Sequence, residues 1–255
     1  MAKLMNFRSK QNLPLFKMLD EVITSYGYEK GVIESSRICT ATWTMPLSDT
    51  VNAKMIISLQ PALPPDTWSI EPVIVIESVF ARRLEVLLNM DDCGPKNPFI
   101  DYSKLLATAI MTLNPVNYYW QDRPEFVHGV LYASQETLSE IRQLFIEIYD
   151  EYAAPVLKIC STPSAFADFM LNSPRLYRKK RTTVDLPRYQ LFHHPLTTSM
   201  LLIEADQAQQ ALSILEEWDK AEGSSPVFLS DLYGRMLSCK VKKLIQYLNS
   251  KHTSL

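Results

Sequence analysis

Apolar positions recur at three- and four-residue steps over residues 13–26, where Phe16, Leu19, Val22, Ile23 and Tyr26 form one stripe. That spacing predicts a helix. Gly27 and Gly31 stand at its exit, where a glycine can take the left-handed conformation that ends a helix. The period then shortens. Residues 37–45 alternate and are rich in Thr, Ile and Trp, and residues 53–59 carry Met55, Ile56, Ile57 and Leu59 before Pro61 and the Pro64-Pro65 pair. Residues 70–80 contain the run Pro72-Val73-Ile74-Val75-Ile76, the pattern of a strand covered on both faces. Connections this short exclude helical crossovers, so the three segments read as an antiparallel meander.

Residues 81–90 return to helical spacing, with Leu84, Leu87 and Leu88 expected inward and Arg82, Arg83 and Glu85 outward. After the loop Asp91-Asp92-Cys93-Gly94-Pro95, strands are expected within 104–113, 116–120 and 127–132. Ser134 is placed to cap a helix running to about residue 152, with Leu138, Ile141, Leu144, Phe145, Ile148 and Tyr149 on its apolar side. The rest reads as helical. Thr162-Pro163 is a cap followed by proline at the first helical position, opening a segment to about residue 171. Asp206 and Gln209 have the spacing of a capping box, and Ser225-Pro226 opens a final helix through Leu229, Leu232, Tyr233, Met236, Leu244 and Leu248. The fold class expected is therefore α+β: an antiparallel sheet packed by helices over residues 1–155, then a mostly helical region over 156–255.

Charge sharpens that division. Residues 1–172 hold 14 Lys/Arg against 20 Asp/Glu, whereas residues 173–255 hold 12 against 8, so the balance passes from −6 to +4. The change begins at Arg175, Arg178, Lys179, Lys180 and Arg181, five cations in seven residues between Pro174 and Pro187. Three readings follow for this run: solvated charge, a surface for an acidic protein partner, or a contact for nucleic acid or anionic lipid. A phosphate-tracking surface would need further cations at wider spacing, which Lys240, Lys242 and Lys243 would supply if they converged on it. A net charge of −2 gives no global attraction for polyanions.

Candidate chemistry is sparse. Six glycines disfavour phosphate-cradling loops, and neither a nucleotide-binding glycine motif nor a nucleophile elbow occurs. Cys39, Cys93, Cys160 and Cys239 are widely spaced, unlike a zinc site or a secreted disulfide framework, so reduced and partly buried thiols are expected. His193 and His194 are adjacent and point apart on any regular element. Glu71 and Glu77 share a strand face but lie roughly 20 Å apart along it, too far for a glycosidase pair. Glu77 alone reads as a general base or as an ion-pair partner of Arg82 or Arg83. Tyr119 and Trp120, with Tyr118, Phe126 and Tyr132, supply either sheet core or an interface hot spot. No catalytic set, cofactor or metal is implied. The first ten residues carry cations without an apolar stretch behind them, and no segment reaches the roughly 20 apolar residues of a membrane span, so a cytoplasmic protein is expected.

The order of elements to about residue 152, built on 13–26, 70–80, 81–90 and 134–152, resembles the small α+β fold of type III secretion chaperones and related bacterial domains of sensory or immunity type. The resemblance implies a non-catalytic protein that binds another protein, with Arg175, Arg178, Lys179, Lys180, Arg181, Tyr119 and Trp120 as candidate partner-binding residues. The chain departs from those chaperones by about a hundred further residues and by being less acidic. The competing readings are nucleic-acid binding centred on Arg178, Lys179, Lys180 and Arg181, and an enzyme whose site uses Glu77 or His193.

Overall fold

A computed structural model describes residues 14–34, 39–62, 67–94, 110–113, 115–116, 131–172, 188–223 and 232–252. The described strands are β1 (Val32–Glu34), β2 (Cys39–Pro46), β3 (Val51–Ala62), β4 (Thr67–Ser78), β5 (Ile110–Leu113) and β6 (Leu131–Ala133). The described helices are α1 (Pro14–Ser25), α2 (Val79–Leu87), α3 (Leu138–Ile148), α4 (Ala154–Ile159), α5 (Pro163–Asn172), α6 (Arg188–Glu204), α7 (Ala208–Trp218) and α8 (Leu232–His252). A 3-10 turn covers Met90–Cys93, and π-turns extend α3 over Tyr149–Ala153 and α7 over Asp219–Gly223. The class is α+β: an antiparallel sheet in the N-terminal part, then helices.

The backbone clusters into two units that do not follow the chain. One is Met1–Ile76 with Thr112–Lys158, and the other is Glu77–Met111 with Ile159–Leu255. Residues 77–111 thus group with the C-terminal helices, whereas the order of elements read from the sequence divides the chain near residue 155.

In the first unit the sheet order is β1-β2-β3-β4-β5, and β6 also pairs with β4. The expected meander is present as β2, β3 and β4. β3 continues through Pro61 to Ala62, beyond the stop expected there. β2 and β3 join through a turn in which Ser48 Oγ accepts from Val51 N at 3.2 Å and Leu47 N donates to Val51 O at 2.8 Å. Register sets Trp43 opposite Met55 and Ala41 opposite Ile57, so one face of the sheet is fully buried. The other face is not. Val73 and Val75 are half-buried, so β4 alternates, and the expectation of a strand covered on both faces is corrected. Pro115 and Val116 have helical backbone, so the strand expected from residue 116 does not start there.

α1 lies on the buried face, with Phe16 stacked on Trp43 at 5.7 Å between ring centroids. Asp20 Oδ1 accepts from Trp43 Nε1 at 2.7 Å and from Gly31 N at 2.9 Å, so one carboxylate fixes helix, loop and strand together. Gly31 is required by space, because a Cβ there would stand 2.3 Å from the Trp43 ring. Gly27 is required by conformation: it has φ +94° at the exit of α1, as expected.

In the second unit α6 is central and packs against α2, α5, α7 and α8. Residues 195–202 of α6 are all buried. Ser199 Oγ returns a hydrogen bond to Ala211 O of α7 at 3.3 Å. Thr162 caps α5 as expected, with its Oγ1 accepting from Ala165 N at 3.3 Å. Two other caps differ from expectation. Asp206 has φ 60°, leaving Gln207 as the residue before α7, and α3 begins after Thr137, three residues beyond Ser134.

The Asp20 node generates a stability prediction. Gly31→Ala should lower unfolding stability by about 1–3 kcal/mol through overpacking against Trp43, read from urea denaturation. An unchanged midpoint would show that the loop yields freely and that the node is not tight.

Candidate functional site

All seven residues proposed as partner-binding, Arg175, Arg178, Lys179, Lys180, Arg181, Tyr119 and Trp120, lie outside the described residues. The side chains of His193 and His194, within α6, do so too. Glu77 is half-buried at the end of β4. Arg82, one partner considered for it, instead donates to Glu85 Oε2 at 3.1 Å.

The described structure brings three other groups forward. The first is the outer face of the sheet in the Met1–Ile76 and Thr112–Lys158 unit. Strand parity puts Thr42, Ile56, Val73 and Val75 on that face, all half-buried. At its two ends Val32 of β1, opposite Thr42, is 64% exposed, and Tyr132 of β6, opposite Ser69, is 52% exposed. An antiparallel sheet can leave one face to water, but such a face is usually polar. This one is largely polar too, with Thr40, Thr44, Lys54, Ser58 and Glu71, but it sets Val32, Ile56, Val73, Val75 and Tyr132 among them.

The second group is a set of tyrosines in the same unit. Tyr149 opens the π-turn and packs on Tyr26 at 4.0 Å between centroids and edge-on to Tyr28 at 6.4 Å. Tyr26 donates to Asp150 Oδ1 at 2.8 Å, and Tyr149 Oη donates to Tyr28 Oη at 3.5 Å. Burial raises all three phenols. The Asp150 carboxylate raises Tyr26 further, the adjacent Tyr28 raises Tyr149, and the bond from Tyr149 tempers Tyr28, which stands at about 12. These hydroxyls act as neutral donors holding α3 to the exit of α1.

The third group occupies the Glu77–Met111 and Ile159–Leu255 unit. The face of α2 expected to be wet holds the fully buried Glu85 side chain, and Leu87, expected inward, is 67% exposed. The reason is Lys240 of α8, whose side chain is 3% exposed and whose Nζ donates to Glu85 Oε1 at 3.1 Å. A buried carboxylate is tolerated only when paired and hydrogen-bonded, and here Lys240 and Arg82 take one oxygen each. Nearby, Lys243 Nζ accepts no such burial and instead donates to Leu88 O at 3.3 Å and to Asn89 O, capping the end of α2. Asn89 has φ 49° and turns the chain into Met90–Cys93.

Cys93 then forms a disulfide with Cys239 of α8, with Cα atoms 5.7 Å apart. This corrects the expectation of reduced thiols for two of the four cysteines. A separation of 146 residues left no trace in the spacing. Cys160 is buried and free, and burial pushes its thiol up to about 12. Of the three lysines considered as support for the basic run, Lys240 is thus internal and Lys243 is engaged with backbone. Lys242 and Arg235 face solvent beside them.

Two outcomes are expected. Lys240→Met should cost about 3–5 kcal/mol by stranding Glu85, and the double variant Lys240→Met with Glu85→Leu should recover most of it in denaturant titrations. A double variant as unstable as the single one would sink the pairing. The raised phenols make the folded state bind more protons than the unfolded state above pH 10. Their stabilisation is therefore complete below pH 10 and is lost as pH rises toward and beyond about 12. The tyrosinate absorbance that disappears in Tyr26→Phe, Tyr28→Phe and Tyr149→Phe variants should grow in step with unfolding, and its growth well before unfolding would contradict this.

Among the described residues no helix is long and apolar enough to cross a membrane. No protein-family model matches the chain, and neither a curated protein nor a solved structure was found that matches it.

Proposed function

We propose that the chain is a non-catalytic cytoplasmic protein of chaperone-like or immunity-like type, which binds another protein on the outer face of its sheet. The observation that carries this reading is the row of apolar residues set into that otherwise polar face, from Val32 at one end through Ile56, Val73 and Val75 to Tyr132 at the other. Exposed apolar side chains gathered on one surface mark interaction sites far more often than scattered ones do.

β1 adds a second means of attachment. It is three residues long, ends the described path of strands and pairs only with β2 among the described residues. An extended segment of a partner can add a strand there, with backbone hydrogen bonds giving affinity and alternate side chains meeting the apolar face. The cations from Arg175 to Arg181 would steer an acidic partner toward the chain. In a cytoplasm the Cys93–Cys239 bridge would belong to the labile kind that cellular thiols open and close.

The test is affinity purification from native extract, with and without nuclease, using the wild type and the pair of substitutions Val32→Lys and Tyr132→Lys. Both side chains are more than half exposed, so the fold should survive their replacement. The expected result is one stoichiometric, nuclease-resistant protein partner, bound at least about tenfold more weakly by the double variant. Equal binding by the variant would remove the sheet face. Nucleic acid, lost on nuclease treatment and on replacing Arg178, Lys179, Lys180 and Arg181 by alanine, would move the function to the basic run.

A further inference from the structure

We infer that the Cys93–Cys239 disulfide is an exchange site for a small anionic thiol, one carrying carboxylate groups, which docks on the cationic face of α8 and forms a mixed disulfide at Cys239. Three observations converge on it. Both cysteines are partly open to solvent. Cys239 lines a shallow depression of about 430 Å³, open to solvent along α8, together with Arg235, Ser238, Lys242, Lys243 and Gln246. The described lining therefore holds three cations and no acid. Positions 235, 238, 239, 242 and 246 recur at three- and four-residue steps, so they share one face of α8 by helical geometry.

Thiol–disulfide exchange begins with a thiolate, and an attacking anion needs an accessible sulfur and a favourable local field. The cations of α8 supply the field at Cys239, where the anion arrives, while Asp91 and Asp92 stand beside the departing Cys93. Carboxylates on the incoming thiol gain charge-assisted hydrogen bonds from guanidinium or ammonium groups, which a neutral thiol cannot use. The volume lies at the lower end of the range for small-molecule sites, which suits a short peptide-like thiol. Cys160 offers the internal contrast: it is fully buried, its thiol is raised, and nothing reaches it.

The step balances as follows. The thiolate sulfur of the small molecule attacks Cys239 Sγ, a new S–S bond forms, and the bond to Cys93 breaks. Cys93 leaves with the electron pair as a thiolate and takes a proton from water. A second molecule of the same thiol attacks the small-molecule sulfur of the mixed disulfide, releasing Cys239 as thiolate and a small-molecule disulfide. Two thiols are oxidised and the protein bridge is reduced by two electrons. With the oxidised small molecule in excess the sequence runs in reverse. Opening the bridge leaves the Met90–Cys93 turn tethered by Lys243 at Leu88 and Asn89, and leaves α2 tethered by Glu85 and Lys240. Exchange therefore parts Cys93 from α8 while the helices stay docked. The inference does not depend on the sheet face binding a partner.

The experiment uses the full chain and three probes at matched thiolate concentration: glutathione as the anion, 2-mercaptoethanol as the neutral thiol and cysteamine as the cation. Acid-quenched samples are read by intact mass and peptide mapping. The expected order is glutathione fastest and cysteamine slowest, with glutathione at least about fivefold ahead of 2-mercaptoethanol at low salt. The lead should vanish in high salt and in Lys242→Glu or Arg235→Glu with Lys242→Glu, each checked for native circular dichroism. In Cys93→Ser, oxidised glutathione should modify Cys239 and leave Cys160 untouched. Equal rates for the three probes, a glutathione lead that survives charge reversal, or modification of Cys160 in preference to Cys239 would each overturn the inference.

Discussion

The Glu85–Lys240 pair sets the second unit, because a buried carboxylate has no alternative to its partners. Its two oxygens are taken by Lys240 and Arg82, and the pair joins residues 155 positions apart. Orientation follows from that constraint. With Lys240 inward, Met236, Leu237, Val241, Leu244 and Leu248 of α8 are also buried, while Arg235 and Lys242 face out. On α2, Glu85 inward places Val86 and Leu87 outward. One ion pair thereby fixes the rotation of two helices, and with it the cationic face beside Cys239. The pair need add little net stability to do this, since its burial cost offsets much of its Coulombic gain.

In the first unit the corresponding role falls to Asp20, which is bonded at once to Trp43 Nε1 and Gly31 N. It seats α1 on one face of the sheet. The tyrosines at the π-turn then hold α3 to the end of α1 through neutral hydroxyls, so this unit carries its polar links as shared protons and the other as a salt bridge.

Residues 37–45 were legible because half-burial imprints a period of two, and 53–59 and 70–80 because short apolar runs bounded by prolines or a change of period read as strands; the three correspond to β2, β3 and β4. Thr162-Pro163 was legible because the cap is local chemistry. What escaped did so for physical reasons. α6 carries Pro195 in its interior and the buried polar run Thr197-Thr198-Ser199, so a helix buried all round had no amphipathic stripe to show. Glu85 was assigned to water because its partner lies 155 residues away. β1 has three residues, too few to show alternation. Of the candidate site, the sequence pointed to Arg175–Arg181 and to Tyr119 and Trp120, which lie outside the described residues. The apolar outer face was readable only once register had placed Val32 and Tyr132 on it.

A bridge that closes so long a loop should, by loop-entropy reasoning, stabilise the bridged chain by about 5 kcal/mol relative to the open one. That is comparable to the entire stability of a marginal domain. Opening it is therefore tolerable only if the same two segments are held by something that reduction does not touch. Glu85 with Lys240, and Lys243 with the carbonyls of Leu88 and Asn89, meet that requirement, because reduction leaves these contacts in place. The ion pair would preserve the register in which the two sulfurs find each other again, which a bridge that opens and closes requires.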